Sequence, residues 1–386
     1  MNLDHATILA WLRETNAARL EELWHAADRV RRERVGDEVH LRGLLEISSH
    51  CVRGCAYCGL HAGNTRLERY RMEAEEILEA AGQIAAMGYG TVVLQAGEDY
   101  GLTRRLIAEM VRRIKATTPL AVTLSLGERG DEDLAAWRLA GADRYLLRFE
   151  TSDLDLFHRI HPPLGHHPSD RVALLRRLRQ MGYEVGGGFM LGLPGQTYAS
   201  VANDILLLRE LDLDMIGIGP YIAHPATPLG QWAERGMPAV EDQIPGDELT
   251  VYKAVALARL ACPEANIPST TALATINKRN GRELALGRGA NVVMPNFTPA
   301  RYRRRYEIYP GKACVNETAE QCHTCLGARI ASIGRAGGRG PGGRRRGGVP
   351  SRILEPQPLA QTSQVLARGP EAPEIGSFNS VDLRPT

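Results

Sequence analysis

The feature of this sequence that most restricts its fold is a repeated alternation of short apolar runs and amphipathic stretches. Eight apolar or β-branched runs lie at 43–49, 91–96, 121–126, 144–149, 184–193, 215–222, 267–272 and 291–297. Most are separated by amphipathic stretches, at 73–88, 103–116, 131–140, 169–182, 199–211, 248–261 and 278–287. Strands that alternate with helices favour parallel β-α units. Eight such units in about 250 residues predict an α/β fold, a (β/α)8 TIM-type barrel. An open doubly wound sheet is the alternative.

Two segments of different composition flank the predicted barrel, which spans 37–330. Residues 1–36 predict an N-terminal helical extension, because apolar residues recur three and four positions apart. Residues 331–386 are rich in Gly, Arg and Pro and have no apolar period, which predicts a disordered C-terminal tail. Arginines in this tail could contact nucleic acid or an acidic partner, but a solvated tail is the simpler interpretation.

Composition narrows the class of protein. The 386 residues are 44% hydrophobic and 24% charged, values typical of a folded globular chain. No apolar run approaches the length of a membrane span, so no membrane partner is expected. The charged N-terminus does not resemble a secretory signal, which predicts a cytoplasmic protein. A formal net charge of +2 gives no reason to expect a nucleic-acid partner, although arginine and tyrosine alternate within 301–306.

The first group of cysteines follows the first predicted strand and has the spacing C-x3-C-x2-C. It consists of Cys51, Cys55 and Cys58. Structural zinc needs four ligands, whereas three thiolates can hold three irons of a [4Fe-4S] cube and leave the fourth iron open. Zinc with His50 or His61 as the fourth ligand is the alternative. The loop follows the carboxyl end of a strand, the face on which barrel enzymes hold their active sites.

A second group of cysteines lies near the end of the predicted barrel, with the spacing C-x7-C-x2-C. It comprises Cys314, Cys322 and Cys325. Zinc completed by His323 or a water molecule and an iron–sulfur cluster are both chemically reasonable for three thiols. The remaining cysteine, Cys262, ends a predicted helix and is expected to be a buried apolar residue.

Several strings in this sequence resemble the radical SAM superfamily. EISS (46–49), CG (58–59) and RYRM (69–72) resemble the branch that contains biotin synthase, methylornithine synthase and HydE. The strings that resemble the HydE family of [FeFe]-hydrogenase maturases in particular are LQAGED (94–99), TLSLGE (123–128), ADRYLLRFE (142–150), LPGQT (193–197), GIGP (217–220) and MPNFTP (294–299). The similarity runs from about residue 15 to residue 330, and it does not cover the tail.

The resemblance implies cofactors and their ligands. Cys51, Cys55 and Cys58 would hold a [4Fe-4S] cluster whose open iron binds S-adenosylmethionine (SAM). The implied SAM contacts are Gly97, Glu98, Asp99, Arg148, Glu150 and Arg171. The implied substrate-binding residues are Thr123, Arg144, Thr270, Thr271, Tyr306 and Tyr309. An accessory [2Fe-2S] or [4Fe-4S] cluster, with a ligand other than cysteine, is implied at Cys314, Cys322 and Cys325, within 314–325.

The same residues also allow structural interpretations. Residues 97–99 could form an ordinary strand-to-helix turn with a capping acid. Arg148 and Glu150 share one face of a strand and could form a structural ion pair. Arg171 could be a solvated helix residue, and the tyrosines could form a half-buried packing surface. Glycines at 186–188 indicate either close approach of a ligand or a bulge that helps the barrel to close.

The function implied by the resemblance is reductive cleavage of SAM to a 5′-deoxyadenosyl radical. The implied substrate is a small or organometallic, cysteine-derived iron carbonyl–cyanide precursor of the [FeFe]-hydrogenase diiron site. A reducing electron donor and other hydrogenase maturases would be partners. One alternative is a radical SAM amino-acid mutase of the methylornithine synthase type, or a HydE-like enzyme with another sulfur-containing substrate. Another is a metal sensor or scaffold that binds zinc and uses its Arg-rich tail.

Overall fold

The computed structural model describes residues 3–166, 168–235, 240–346 and 349–350. Its strands are β1 (Glu38–Ser48), β2 (Thr91–Ala96), β3 (Ala121–Ser125), β4 (Arg144–Leu146), β5 (Glu184–Leu191), β6 (Met215–Pro220), β7 (Val292–Val293), β8 (Ala336–Gly337), β9 (Arg345–Arg346) and β10 (Val349–Pro350). Its helices are α1 (His5–Arg13), α2 (Ala17–Val35), α3 (Ala74–Ala86), α4 (Arg104–Thr117), α5 (Asp131–Leu139), α6 (Leu154–Ile160), α7 (Arg171–Gln180), α8 (Tyr198–Glu210), α9 (Pro228–Glu234), α10 (Glu248–Ala261), α11 (Thr271–Ile276), α12 (Gly281–Leu286), α13 (Ala300–Arg303) and α14 (Ala319–Ser332).

Seven parallel strands form the barrel wall in the order β6-β5-β4-β3-β2-β1-β7. The ring is completed by parallel bridges from Asn266 to Met215 of β6 and from Pro268 to Val292 of β7. The amide of Ile216 donates to the Asn266 carbonyl oxygen at 2.9 Å. The helices between the strands follow the β-α order of a barrel, so the predicted (β/α)8 TIM-type fold is confirmed.

The strand expected at 267–272 is reduced to bridge positions. Thr270 has extended backbone, and its side chain accepts a hydrogen bond from the amide of Leu273, so it caps helix α11. Thr271 is the first residue of that helix. A threonine that caps a helix cannot also continue a strand ladder, and this is why the β-branched run misled the prediction.

The N-terminal extension consists of two helices rather than one continuous helix. Helix α1 ends at Arg13, and Asn16 starts α2 by accepting hydrogen bonds from the amides of Ala18 and Arg19. Buried Lys253 of α10 donates from Nζ to the Leu12 carbonyl oxygen at 2.9 Å, which joins the extension to the barrel. Among the described residues, no helix is long and apolar enough to cross a membrane.

The glycines of strand β5 lie directly against strand β6. Gly188 has a φ of +142°, and a Cβ atom there would lie 2.0 Å from the Gly217 carbonyl oxygen. A Cβ at Gly187 would lie 2.8 Å from a side-chain atom of Leu213. Close approach of neighbouring protein atoms therefore accounts for glycine at both positions.

Helix α14 continues through residue 331, where the sequence predicted the start of the tail. After α14, strand β8 pairs in parallel with the first residues of β1. The next residues, up to Arg346, are also described. Residues 351–386 of the predicted tail lie outside the described residues.

Residues 338–344, which we call the floor strap, cross the amino-terminal end of the barrel. The first amide of the strap donates to the Val39 carbonyl oxygen at 2.9 Å, beside β1. The strap ends at Arg344, which forms an ion pair of 2.6 Å with Asp212, just before β6. The strap therefore runs from one side of the barrel to the other.

Two backbone carbonyls of the floor strap accept hydrogen bonds from side chains of the barrel. The Pro341 oxygen accepts from Arg144 Nη2 at 3.0 Å. The Gly342 oxygen accepts from Arg42 Nη2 and from Asn266 Nδ2, both at 3.1 Å. Burial, together with the positive charge of Arg144, lowers the pKa of Arg42 to about 9. The carbonyl dipoles thus partly compensate a cationic layer at this end of the barrel.

Candidate active site

The loop that carries Cys51, Cys55 and Cys58 leaves the carboxyl end of β1 and is held from two sides. The Val52 amide donates to the Glu98 carbonyl oxygen at 3.0 Å, beside β2. On the other side, the Ala56 amide donates at 2.8 Å to the carbonyl oxygen of the last residue of α6. All three thiols line one cavity.

Position 97 requires glycine because the backbone that leads into the cysteine loop passes directly against it. A Cβ atom there would lie 2.2 Å from the His50 carbonyl oxygen and 2.8 Å from Cys51 Cβ. The Gly97 amide also donates to the Ser48 carbonyl oxygen at 3.1 Å. Gly97 therefore supports the cysteine loop, and it does not line the cavity.

Arg69 holds the far part of the cysteine loop. Its guanidinium donates to four backbone carbonyl oxygens, at distances of 2.6 to 3.2 Å, those of Ser49, Leu60, His61 and Asn64. A planar guanidinium with five donors suits such a role, because it can satisfy several fixed acceptors at once. The backbone around the cysteines is thus fixed by a side chain outside the cysteine motif.

A buried network of charges lies beside the cysteines. Arg53 forms ion pairs with Glu98 at 2.8 Å and with Glu128 at 3.0 Å. The Glu128 amide donates to Glu98 Oε2 at 2.8 Å. Burial raises the pKa of Glu98, although Arg53 opposes that effect. Burial would also raise the pKa of Glu128, but hydrogen bonds from His161 and Ser169 and the charge of Arg171 hold it well below its usual range.

Arg148, Glu150 and Arg171 meet at the carboxyl end of β4. Arg148 lies 3.0 Å and Arg171 lies 3.6 Å from the Glu150 carboxylate. Glu150 has a φ of +68°, which is rare for a residue with a side chain and is typical of functional sites. Arg171 is buried and also donates to Glu128 at 2.9 Å, so it is not a solvated helix residue.

The cavity has a volume of about 350 Å³ and runs from the cysteine loop towards the cationic layer at the floor. Six cationic side chains line it, namely Arg42, Arg53, Arg148, Arg171, Arg282 and Lys312. Three carboxylates line it, namely Glu46, Glu98 and Glu150. The excess of positive charge around this cavity favours a ligand that carries negative charge.

Most of the predicted site residues face this cavity. Those that line it are Cys51, Cys55, Cys58, Glu98, Thr123, Arg148, Glu150, Arg171, Thr270, Thr271, Tyr306, Tyr309 and Cys314. The Thr123 hydroxyl is buried and has no hydrogen-bond partner among the residues that the structure describes, which leaves it available to a ligand.

Two more of the residues implied as SAM or substrate contacts, besides Gly97, lie outside the cavity lining. Asp99 pairs with Arg71 at 2.6 Å and accepts from Ser48 Oγ at 2.7 Å, so its carboxylate is used to hold the segment after β1. Arg144 pairs with Glu184 at 2.5 Å and with the floor strap. Neither residue lines the cavity around the cysteines.

Comparison with known proteins agrees with this geometry. Residues 45–208, which contain the cysteine loop, Glu128 and Arg171, match the model of the Radical SAM superfamily. The chain is 46% identical over 326 residues to the [FeFe] hydrogenase maturase subunit HydE of Thermotoga maritima, which covers 84% of this chain and 89% of that protein. The chain belongs to the radical SAM superfamily. It is an enzyme of that superfamily, and its alignment with HydE covers most of both chains.

More distant relatives share the fold of this radical SAM enzyme. It is 27% identical over 277 residues to 3-methylornithine synthase of Methanosarcina acetivorans, which covers 71% of this chain and 74% of that protein. The crystal structure of methylornithine synthase (PylB) superposes with a TM-score of 0.72 at 23% identity, covering 88% of this chain and 95% of that one. The crystal structure of HydG, a maturase of the [FeFe]-hydrogenase, gives 0.62 at 20% identity, covering 75% and 64%.

Membership of the superfamily implies a [4Fe-4S] cluster and SAM, and the cysteine loop has the chemistry for the cluster. Three thiols open into one cavity, so they could ligate three irons of such a cluster and would leave the fourth iron free for another ligand. Burial raises the pKa of Cys55 to about 12, so a metal must displace the thiol proton when it binds. Among the described residues, no three His, Cys, Asp or Glu side chains form a group that could hold a single metal ion.

The second cysteine group of this radical SAM enzyme is divided between the cavity and the surface. Cys314 lines the cavity with Sγ 3.7 Å from Arg282 Nη2, whereas Cys325 is exposed on α14. The neighbouring Cys322 thiol lowers the pKa of Cys314 below its usual value. His323 Nδ1 lies 3.0 Å from the Tyr89 hydroxyl.

Sequence analysis missed a buried ion pair in the cavity wall. Lys312 Nζ donates to Glu46 Oε1 at 2.7 Å, and Asn296 Nδ2 donates to Glu46 Oε2 at 3.0 Å. Glu46 and Asn296 lie within strings that we quoted for the resemblance. A polar residue among apolar neighbours is the feature of the sequence that could have identified each of them as a cavity residue. Lys312 carries no such signal, because it lies in an irregular segment.

Arg53, Glu128 and His161 were also missed. Arg53 lies between two cysteines of the motif, and Glu128 ends a string quoted above, so both could have been found from their neighbours. His161 follows a short helix about a hundred residues after the cysteine loop. No spacing in the sequence connects it to that loop.

Proposed function

We propose that this radical SAM enzyme acts in assembly of the diiron site of [FeFe]-hydrogenase. The observation that carries the proposal is the cavity in which the cysteine loop, the buried Arg–Glu network and an excess of cationic side chains come together. The identity of 46% to a HydE that is matched over 89% of its length supports the choice of pathway. A fragment of an iron carbonyl–cyanide complex with a cysteine-derived ligand has the negative charge that such a cavity favours.

The cysteine loop would hold the cofactor. When bound, the cluster supplies one electron, and reductive cleavage of SAM then yields a 5′-deoxyadenosyl radical. Cys51, Cys55 and Cys58 would ligate three irons. Glu150 and Arg171 would bind the charged groups and ribose of SAM, because a carboxylate accepts hydrogen bonds from ammonium and hydroxyl groups and a guanidinium pairs with a carboxylate.

The remaining predicted SAM contacts would divide into two roles. Glu98 and Arg148 line the cavity and would contact SAM directly. Gly97 and Asp99 would act by placing the cysteine loop, since Gly97 lies against His50 and Asp99 holds the residues that follow β1. The loop and the SAM site would then move together if either support were lost.

Substrate would bind deeper in the cavity. Hydroxyl groups of Thr123, Thr270, Thr271, Tyr306 and Tyr309 would donate to cyanide, carbonyl or carboxylate acceptors. Burial raises the pKa of Tyr306 well above its usual value, which keeps its hydroxyl protonated and able to donate. We place Arg144 below this region, where its charge would reinforce the positive floor.

The accessory cluster and the partners are further parts of the proposal. Cys314, Cys322 and Cys325 would hold a [2Fe-2S] or [4Fe-4S] cluster with another ligand completing the site, and Cys314 lines the same cavity as the first cysteine group. The partners would be a reducing electron donor and other hydrogenase maturases. The cysteines described by the structure are free thiols, which is consistent with a cytoplasmic enzyme.

The test is anaerobic reconstitution with iron and sulfide, followed by dithionite and SAM. We expect 5′-deoxyadenosine from the wild-type protein and none from Cys51→Ala, Cys55→Ala or Cys58→Ala. Cys262→Ala is the matched control, because that thiol is buried outside the cavity. Formation of 5′-deoxyadenosine by the triple variant would exclude the proposal.

A mutase reaction of the methylornithine synthase type is the competing function, favoured by the 27% identity noted above. Assays for formation of 3-methylornithine and for turnover of a cysteine-derived iron carbonyl–cyanide complex separate the two. Formation of 3-methylornithine with no turnover of the iron complex would favour the mutase. Neighbouring hydrogenase-maturation genes would favour the function proposed here.

A further inference from the structure

His161 lies against the middle cysteine of the loop. It is the residue that ends helix α6, and its side chain has no solvent exposure. Its Nδ1 is 3.0 Å from Cys55 Sγ. The preceding residue, Ile160, accepts the hydrogen bond from the Ala56 amide, so the end of α6 and the cysteine loop are joined by both backbone and side chain.

The His161 ring is held on three sides. Its Nε2 lies 2.9 Å from Glu128 Oε1. That carboxylate also accepts from Ser169 Oγ at 2.6 Å and from Arg171 Nε at 2.9 Å. The Phe157 ring packs against the imidazole with centroids 5.0 Å apart. The direction in which Nδ1 points is therefore fixed before any cofactor binds.

The three cysteines differ in what their sulfur atoms contact. Among the described residues, Cys55 is the one of the three whose sulfur atom lies within hydrogen-bond distance of a histidine ring nitrogen, at 3.0 Å. Outer residues that donate to cluster sulfurs orient the ligands and tune the potential of the cluster.

We infer that His161 is a positioning residue that donates from Nδ1 to the Cys55 thiolate and raises the reduction potential of the bound cluster. The inference rests on the proposed cluster site. An iron-bound thiolate has no hydrogen, so the contact requires the hydrogen on Nδ1. Nε2 donates its own hydrogen to Glu128 Oε1 at 2.9 Å, so both ring nitrogens carry hydrogen in the cluster-bound protein, and the ring lies between two anionic acceptors. A donated hydrogen bond stabilises the more negative, reduced state of the cluster.

The test compares two substitutions that differ in the hydrogen-bond donor. His161→Leu removes the donor and fills the space with apolar atoms. His161→Asn keeps an N–H donor at about the position of Nδ1. His158→Leu is the matched control, because His158 is an exposed residue of the same helix. Cluster content is measured by iron and sulfide analysis, and the midpoint potential by EPR-monitored titration without SAM.

We expect His161→Leu to have a more negative midpoint potential than the wild-type protein, while His161→Asn and His158→Leu stay close to it. At a fixed potential, a tenfold lower ratio of reduced to oxidised cluster corresponds to 59 mV for one electron. Loss of the cluster in His161→Leu but not in His161→Asn would also support the donor role.

Three results would overturn the inference. The first is a His161→Leu protein with full cluster content and an unchanged potential. The second is loss of the cluster, or an equal fall in potential, in both His161 variants, since the donor is retained in one of them. The third is an equal change in His158→Leu. Failure of the wild-type protein to bind a cluster would instead overturn the proposed function.

Discussion

Removing the positive charge of Lys312 should destabilise the barrel strongly. The Lys312 and Glu46 side chains are 5% and 2% exposed, and their charged atoms are 2.7 Å apart. Asn296 Nδ2 donates to the other oxygen of the carboxylate at 3.0 Å. Lys312→Met keeps most of the side-chain volume and leaves the Glu46 carboxylate buried beside no cation.

The magnitude follows from the distance and the burial. At an effective dielectric constant of 20, two unit charges 2.7 Å apart attract by about 6 kcal/mol. Desolvation of both charges offsets much of that gain, but loss of one partner from a buried pair destabilises proteins by about 3–5 kcal/mol. We therefore expect Lys312→Met to lower the free energy of unfolding by about 3–5 kcal/mol. The double variant Glu46→Gln/Lys312→Met should lose much less, because it buries no charge.

Urea unfolding at pH 7, followed by circular dichroism on cluster-free protein, measures these free energies. Lys278→Met is the control, because Lys278 is exposed and its loss should change stability by no more than about 0.5 kcal/mol. A loss below about 1 kcal/mol for Lys312→Met would refute the reasoning. So would a double variant whose loss of unfolding free energy is as large as the sum of the losses in the two single variants.

Two further predictions concern a buried carboxyl and the cysteine loop. Burial raises the pKa of Asp204 from 3.8 to about 7. About 4 kcal/mol of stability is therefore present below pH 4 and is lost as the pH rises through 7. Urea unfolding should show this decline in the wild-type protein and a flatter pH profile in Asp204→Asn, and parallel profiles would contradict the prediction. Gly97→Ala places Cβ 2.2 Å from the His50 carbonyl oxygen, so iron content after reconstitution should fall several-fold. It should be unchanged in Gly82→Ala, whose new Cβ meets nothing within 4 Å, and equal content in both variants would show that the loop adapts.

Much of the barrel could be predicted from sequence, because the spacing of apolar residues reports strands and helices directly. Seven of the eight expected strands were located within about five residues of their observed positions. The strand expected at 267–272 failed at Thr270, where one β-branched residue has the properties of both a strand residue and a helix cap. Propensity alone does not decide between those roles, because the choice depends on the neighbouring amide of Leu273.

The site was predictable where its residues lie within one short motif. The cysteine spacing located the loop, but the partners that orient it come from distant segments, as Arg69 and His161 illustrate. Arg144 shows a different limit. Its place in a strand was recognised, but its position at the amino-terminal end of β4, next to Glu184, puts it at the floor. Height along a barrel axis is set by the register of neighbouring strands, which no single segment encodes.

The floor strap has a consequence for how the molecule is made. Proteins are synthesised from the N-terminus, and all eight positions of the barrel ring precede residue 338. A nascent barrel therefore has openings at both ends, and Arg42 and Arg144 have no carbonyl partners from the strap until residues 338–344 have been made. Closure of the lower opening follows formation of the ring, and it joins main-chain oxygens of the strap to side chains of the barrel wall.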